Sequence, residues 1–259
     1  MLQSYLEHYY CLIKTFYDIN KLKINHDKNQ VCIYTKNKNI QKKLKNLPLK
    51  ADKFTIKNKP CIKILGVTLN NQLQVGQHLN CILSQCYNRV HAIKSISNYT
   101  DIKTRLRFIN AHMLSKLYYM LPLLSSANNI QKQKVHKLIM FAARTVLGSY
   151  CFKVSCKKII ERVNWLPANQ IINLAIIKSI QKIIFNKQPT NLFNYFKTNR
   201  RQCSIIVPKT YPKSKFSRDI YIFKGLEAFN ALSNDIKKCN PKIFKKKGLK
   251  YLKWDYRVH

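Results

Sequence analysis

Acidic residues are scarce in this chain, and none stand close together. The 259 residues contain 10 Asp and Glu against 48 Lys and Arg, a formal net charge of +38. No two acids lie closer than eight residues apart; Asp18 and Asp27 are predicted to be cap or turn residues. Two-metal chemistry and glycoside hydrolysis both use paired carboxylates. The sequence therefore predicts no catalytic residues.

Catalytic motifs, a membrane-spanning segment and a secretory signal are also missing from the sequence. The chain has five glycines and seven histidines, without a Gly-rich phosphate loop or a nucleophile and base pair at a recognisable spacing. No run of 18 apolar residues occurs, and the most apolar stretch, 171–185, is interrupted by Lys178 and Lys182. We expect a core helix there and no membrane span. Because residues 1–4 open an amphipathic helix rather than a secretory signal, we expect a nuclear or cytoplasmic protein that is not secreted.

The nine cysteines are scattered and odd in number. This pattern indicates reduced thiols, and hence no disulfide-linked partner. The pairs Cys81/Cys86 and Cys151/Cys156 lack two further ligands at a zinc-site spacing, so no metal site is predicted.

A charge of +38 far exceeds what solubility requires, and a polyanion is its natural complement. Abundant Lys, Asn and Ile could also reflect AT-rich coding, which leaves a merely solvated basic surface as the alternative. That bias does not remove Asp and Glu, so the shortage of acids favours contact with nucleic acid. Because Lys outnumbers Arg, phosphate-backbone binding is favoured over base reading.

Periodicity predicts a mainly α protein with a small β portion (α+β). A helix is expected over residues 2–19, and strands over 22–24, 30–35 and 62–69. The Lys-rich segment 36–59 is predicted to be irregular. From residue 78 onward the pattern is helical, with Asp101 as one N-cap, Gly148 as one C-cap and Pro167 in the first turn of an Ile-rich helix.

Several segments follow one another in the order seen in a known family of polymerases. They are Asn-Lys-Leu-Lys-Ile-Asn-His-Asp-Lys (20–28), Ile-Lys-Ile-Leu-Gly-Val-Thr-Leu (62–69), Val-Asn-Trp-Leu-Pro (163–167), Gln-Pro-Thr-Asn-Leu-Phe (188–193), Phe-Asn-Ala-Leu-Ser-Asn-Asp-Ile-Lys-Lys (229–238) and Phe-Lys-Lys (244–246). The chain thereby resembles the carboxyl-terminal part of the reverse transcriptase of LINE-type, jockey-like retrotransposons without long terminal repeats. It departs from the family pattern at Val75, Gln170 and Phe229, where an aromatic residue, Arg and Trp are usual.

The resemblance implies three regions. Residues 1–75 would be a partial palm with a palm-edge helix and a primer-grip hairpin, 76–150 a helical thumb, and 151–259 a basic carboxyl-terminal helical region. Lys28 matches an ancillary palm lysine near the incoming nucleotide. The primer-grip residues by resemblance are Leu65, Gly66 and Val67.

In this family the catalytic aspartates precede both palm blocks and bind Mg²⁺. The chain is therefore expected to be truncated upstream of Met1, without a cofactor as it stands, and to retain only RNA or DNA backbone binding. The residues predicted to bind nucleic acid are Lys132, Lys134, Lys137, Arg144, Arg200, Arg201, Lys245, Lys246 and Lys247. Two alternatives stay open: a stand-alone basic RNA-binding or scaffold protein derived from such an element, or part of an active RNA-directed DNA polymerase.

Overall fold

The computed structural model describes residues 2–35, 37–44, 48–51, 54–72, 74–119, 121–148, 154–199, 204–206 and 221–258. Over these residues the chain is mainly helical, with three antiparallel two-stranded sheets. The predicted fold class, mainly α with a small β portion, is confirmed. The chain divides into two compact units, residues 1–78 and 79–259. The three regions implied by the family resemblance stay a prediction.

The first unit joins one long helix to two β-hairpins. Its elements are α1 (Leu2–Ile19), α2 (Lys38–Leu44), β1 (Pro48–Ala51), β2 (Phe54–Lys57), β3 (Cys61–Ile64) and β4 (Val67–Asn70). The side-chain amide of Gln3 on α1 binds β1 as a neighbouring strand would. Its Nε2 donates to the Lys50 carbonyl at 2.7 Å, and its Oε1 accepts from the Lys50 N–H at 3.1 Å. This pair of hydrogen bonds ties α1 to the edge of the first hairpin.

The strand predicted at 22–24 does not form, because the end of α1 uses the backbone donor that a strand would need. Lys21 has φ 55°, in the left-handed region, and the Leu22 N–H donates to the Tyr17 carbonyl at 2.8 Å. A 3-10 turn, His26–Lys28, follows. At 30–35 the described backbone is not a strand either: Val31 forms an isolated parallel bridge with Asn58, and the Thr35 N–H donates to the Asn71 carbonyl at 3.2 Å.

The segment predicted to be irregular, 36–59, contains regular structure instead. The Asn37 Oδ1 accepts from the N–H groups of Asn39 (2.9 Å) and Ile40 (3.3 Å), which starts α2. The hairpin β1–β2 then pairs Pro48 with Lys57 through to Ala51 with Phe54. Asparagine acting as a cap explains why this Asn-rich segment folds locally.

Helix α1 presents a row of apolar side chains that stay more than half exposed. Their spacing of three and four residues places them along the helix. They are Tyr5, Tyr9, Leu12, Ile13, Phe16 and Ile19, between 52% and 76% exposed.

The second unit is built from helices. The chain enters it through α3 (Gly76–Ser95), which starts just before the boundary. The further elements are α4 (Ile102–Ile109), α5 (Ser115–Tyr118), α6 (Asn129–Leu147), α7 (Cys156–Arg162), α8 (Ala168–Asn186), α9 (Thr190–Tyr195), β5 (Lys197–Asn199), β6 (Ser204–Ile206), α10 (Tyr221–Asn230), α11 (Asn234–Lys237) and α12 (Pro241–Val258).

The ends of α4 and α6 are set by the cap residues that the sequence indicates. Asp101 accepts from the Thr104 N–H at 3.2 Å and is the N-cap of α4. Gly148, with φ 82°, is the C-cap of α6. Asn128 and Gln131 form a reciprocal capping box at the start of α6, at 2.8 and 2.9 Å. The two N-caps provide acceptors for backbone N–H groups that have no partner within the helix.

A π-helical turn, Asn110–Leu114, joins α4 to α5. Side chains of α3 contact its carbonyl groups: the Arg89 guanidinium donates to the His112 carbonyl, and the Cys86 thiol lies 3.8 Å from the Met113 carbonyl. Burial raises the pKa of the Cys86 thiol. These side chains contact backbone carbonyl groups in the π-helical turn, where the hydrogen-bond pattern differs from that of a regular α-helix.

Helix α8 lies at the centre of this unit and contacts α6, α10 and α12. The approach of α10 is close, because a Cβ added at Gly225 would lie 2.7 Å from Cγ1 of Ile180 and 2.9 Å from Cγ2 of Ile176. The core here is formed by Ile177, Ile180, Ile183, Phe196, Leu226, Phe229, Leu232, Ile236 and Phe244. Phe229, which stands where the resembled family has Trp, stacks on Phe244 with ring centroids 6.3 Å apart.

Candidate nucleic-acid interface

The predicted primer-grip residues form the tip of the β3–β4 hairpin. Ile64 pairs with Val67, so Leu65 and Gly66 form a two-residue turn. Both have positive φ, 48° and 84°, as in the type I′ turn that suits the twist of a hairpin. Leu65 is 85% exposed. The turn therefore presents a large apolar side chain to solvent. The left-handed backbone conformation of Leu65 costs roughly 1–2 kcal/mol.

Strand β4 is joined to residue 78 by a hydrogen bond close to the tip of this hairpin. The Thr68 N–H donates to Nδ1 of His78 at 3.2 Å, and His78 is buried, with 7% exposure. The donor is a backbone group, so Nδ1 acts as the acceptor and carries no proton in this arrangement. The hydrogen bond fixes the hairpin relative to residue 78.

Lys28, the predicted palm lysine, ends the 3-10 turn after α1 and is exposed. The neighbouring His26 lies close to Tyr10, with Nδ1 of His26 and the Tyr10 hydroxyl 3.5 Å apart. A small groove of about 340 Å³ next to this turn is lined by Tyr10, Lys14, Asp18, Leu22, Lys23, Ile24 and His26. Lys28 is thus displayed beside the groove and is not one of its lining residues.

Helix α6 carries four of the predicted phosphate-binding residues and contains no acidic residue. Lys134 and Lys137 are exposed, whereas Lys132 and Arg144 are half-buried. Its opposite side is buried through Val135, Leu138, Ile139, Ala142 and Val146, among others. Packing of that side directs Lys134 and Lys137 outward, where phosphate groups could reach them.

Helix α12 carries Lys245, Lys246 and Lys247, all exposed, over a buried side formed by Phe244, Gly248 and Leu252. Burial lowers the pKa of Lys178 on α8, and the positive charge of Lys245 lowers it further. Two lysines repelling each other in this way would both gain from a bound anion. Arg200 and Arg201 lie outside the described residues.

A polar groove on the second unit was not predicted from the sequence. Its volume is about 730 Å³, and the starts of α6 and α8 and the first residue of α7 border it. We call it the α6–α8 groove; it is lined by Asn129, Lys132, Gln133, His136, Cys156, Pro167, Ala168, Asn169, Ile172 and Asn173. The amides recur at i and i+4 on each helix, but periodicity alone does not reveal which helices face one another.

Neither a cluster of metal-binding side chains nor a membrane-spanning helix is found in the part of the chain that the structure describes. Within it, no three His, Cys, Asp or Glu side chains gather into a group suited to a metal ion. The described helices also include none with the length and apolarity needed to cross a bilayer.

Comparisons of this chain with protein families, with curated proteins and with solved structures gave no match.

Proposed function

We propose that this protein binds RNA or DNA through the phosphate backbone, as the primer-grip, thumb and carboxyl-terminal part of a LINE-type reverse transcriptase. The observation that carries the binding proposal is the outward face of α6, which displays Lys134 and Lys137 on a helix without acids. The family proposal rests on the residues of the six segments described above.

Charge across the chain supports this proposal. With 48 basic and 10 acidic residues, a duplex or single strand would find few carboxylates to repel it. Lysines act as point charges on phosphate and read no bases. The binding should therefore depend little on sequence, and it would take place in the nucleus or cytoplasm.

The hairpin tip adds a second element to the proposal. Leu65 is presented at the end of a two-residue turn, where it could contact the sugar and base of a primer terminus. Lys28, exposed on the 3-10 turn after α1, would contribute positive charge. We assign no metal-dependent step to the chain.

The test is the salt dependence of binding to a fluorescent RNA–DNA hybrid, measured by anisotropy. Each neutralised phosphate releases counterions, so log affinity should fall linearly with log salt, by about 0.9 per contact. The double variant Lys134→Gln/Lys137→Gln should reduce that slope by about two.

The control is Lys103→Gln/Lys158→Gln, which removes the same charge from two exposed lysines on other helices. It should leave the slope nearly unchanged. An affinity that does not respond to salt would refute backbone binding. Equal slopes for the two double variants would refute the assignment to α6.

A further inference from the structure

The α6–α8 groove offers three kinds of contact in one place. Four amide side chains line its walls: Asn129 and Gln133 from α6, and Asn169 and Asn173 from α8. All four are exposed. Because each amide has donors and an acceptor, this lining can bind a ligand whose edge mixes both kinds of group.

The floor of the groove is apolar. Ala168 and Ile172 are each 3% exposed, and Pro167 adds a further apolar surface beside them. A volume of about 730 Å³ lies within the range of roughly 300–1,000 Å³ that small-molecule sites occupy. A flat ligand could rest on this floor with its edges directed at the amides.

The third kind of contact is basic. Lys132 and His136, one turn apart on α6, line the groove, and the lining residues that the structure describes include no Asp or Glu. Lys132 is half-buried and is one of the residues that line the groove. The groove thus suits an anion attached to a flat polar ring.

We propose that the α6–α8 groove binds one unpaired nucleotide of a single-stranded nucleic acid. Its base lies on Ala168 and Ile172, its edge faces the amides of Asn169 and Asn173, and its phosphate lies near Lys132. This inference rests on the proposed backbone binding and adds base recognition to it.

The chemistry separates a nucleotide from other ligands. A sugar would satisfy the amides but brings no negative charge to the basic side of the groove, and a simple anion would leave the apolar floor uncovered. A base within a duplex has its pairing edge occupied, whereas an unstacked base in a single strand presents a flat face and a free edge together. The groove should therefore prefer single strands that carry bases.

The first experiment compares two fluorescent 12-nucleotide probes, oligoadenylate RNA and an abasic oligomer of equal length and charge. The full chain should bind the oligoadenylate about tenfold more tightly, because a bound base adds contacts that a backbone alone does not make. Asn169→Ala/Asn173→Ala should abolish this preference and leave abasic binding unchanged. Asn186→Ala, an exposed amide on α8 outside the groove, should keep the preference.

A second experiment needs no variant. Cys156 is exposed and lines the groove, whereas Cys81 is exposed on α3. Oligoadenylate should slow alkylation of Cys156 by iodoacetamide several-fold more than the abasic oligomer does, while Cys81 reacts equally with either probe present.

The outcomes separate the two proposals. Salt-insensitive or absent binding of both probes would overturn the proposed function and the inference with it. Tight, salt-sensitive binding of both probes with equal affinity and equal protection of Cys156 would overturn the inference alone.

Discussion

The Thr68 N–H donates a hydrogen bond to the Nδ1 of His78 over 3.2 Å. Thr68 belongs to β4 and His78 to the first turn of α3, so one bond positions the hairpin tip that carries Leu65. The imidazole is buried, with 7% exposure. Loss of the acceptor would leave a half-buried backbone donor without its side-chain partner, which costs about 1–3 kcal/mol.

His78→Phe should therefore loosen the hairpin while keeping a ring of similar size at position 78. We expect amide hydrogen exchange at Thr68 to become faster by about tenfold or more, consistent with a local loss of about 1.4 kcal/mol. His112→Phe, at an exposed position, is the control and should leave Thr68 exchange as it was. Unchanged exchange in His78→Phe would show that the bond does not hold the hairpin.

Leu65→Asn should affect stability and binding in opposite directions. Asn accepts the left-handed conformation of Leu65, φ 48°, more readily than Leu and is preferred before Gly in such turns. We expect the hairpin to gain about 0.5–1 kcal/mol, read from slower amide exchange in β3 and β4. Affinity for a duplex with a recessed 3′ end should fall, because the exposed apolar contact is lost.

Blunt duplexes provide the control for this variant, since they present no primer terminus. Equal loss of affinity for blunt and recessed duplexes would argue against a primer-grip role for Leu65. A variant that loses hairpin stability would contradict the assignment of backbone strain to Leu65.

Two glycines in the second unit provide a matched pair for testing the packing around α8. A Cβ at Gly225 would lie 2.7 Å from Cγ1 of Ile180, whereas a Cβ at Gly248 would lie 3.4 Å from Cδ1 of Leu174. Gly225→Ala should destabilise the protein by about 1–3 kcal/mol, because α8 and α10 must separate. Gly248→Ala should be neutral or stabilise by up to about 1 kcal/mol through helix propensity. Urea unfolding of both variants measures the difference, and equal effects would contradict the packing.

Helices were predictable from this sequence where local signals agreed. The apolar period of α6 and the glycine at its end, Gly148, both indicate the same helix, and the structure has it at Asn129–Leu147. Strand structure was predicted over residues 62–69 and a hairpin was implied there by the family resemblance, and the structure has β3 and β4 with a turn at Leu65 and Gly66. Each of these features depends on residues within a few positions of one another.

The failures have physical causes as well. The run at 22–24 has strand-like composition, but the Leu22 N–H is used by the end of α1. Helix α12 lies within the region that was expected to be basic and helical, but the burial of Phe244 and Leu252 on one of its sides was not predicted. The α6–α8 groove depends on which helices pack together, and such long-range contacts leave no local trace in the sequence.

Lys178 provides a test of electrostatics on α8. Burial, together with Lys245, lowers its pKa below the ordinary value of 10.5. At pH values below this lowered pKa, the ammonium is charged in both the folded and unfolded states, and the full cost of burying it is present. As the pH rises from the lowered pKa towards 10.5, the folded state loses the proton first, so this group adds stability with increasing pH.

Lys178→Met should therefore raise the melting temperature at pH 7, since it removes a poorly solvated charge and keeps an apolar stem. Lys182→Met, one turn away at an exposed position, is the control and should change it little. Thermal melts at a series of pH values provide a second measurement. The gain in melting temperature of Lys178→Met over the original chain should become smaller as the pH approaches 10.5. A Lys178→Met protein that is less stable at pH 7 would show that the ammonium contributes a favourable contact outweighing its burial.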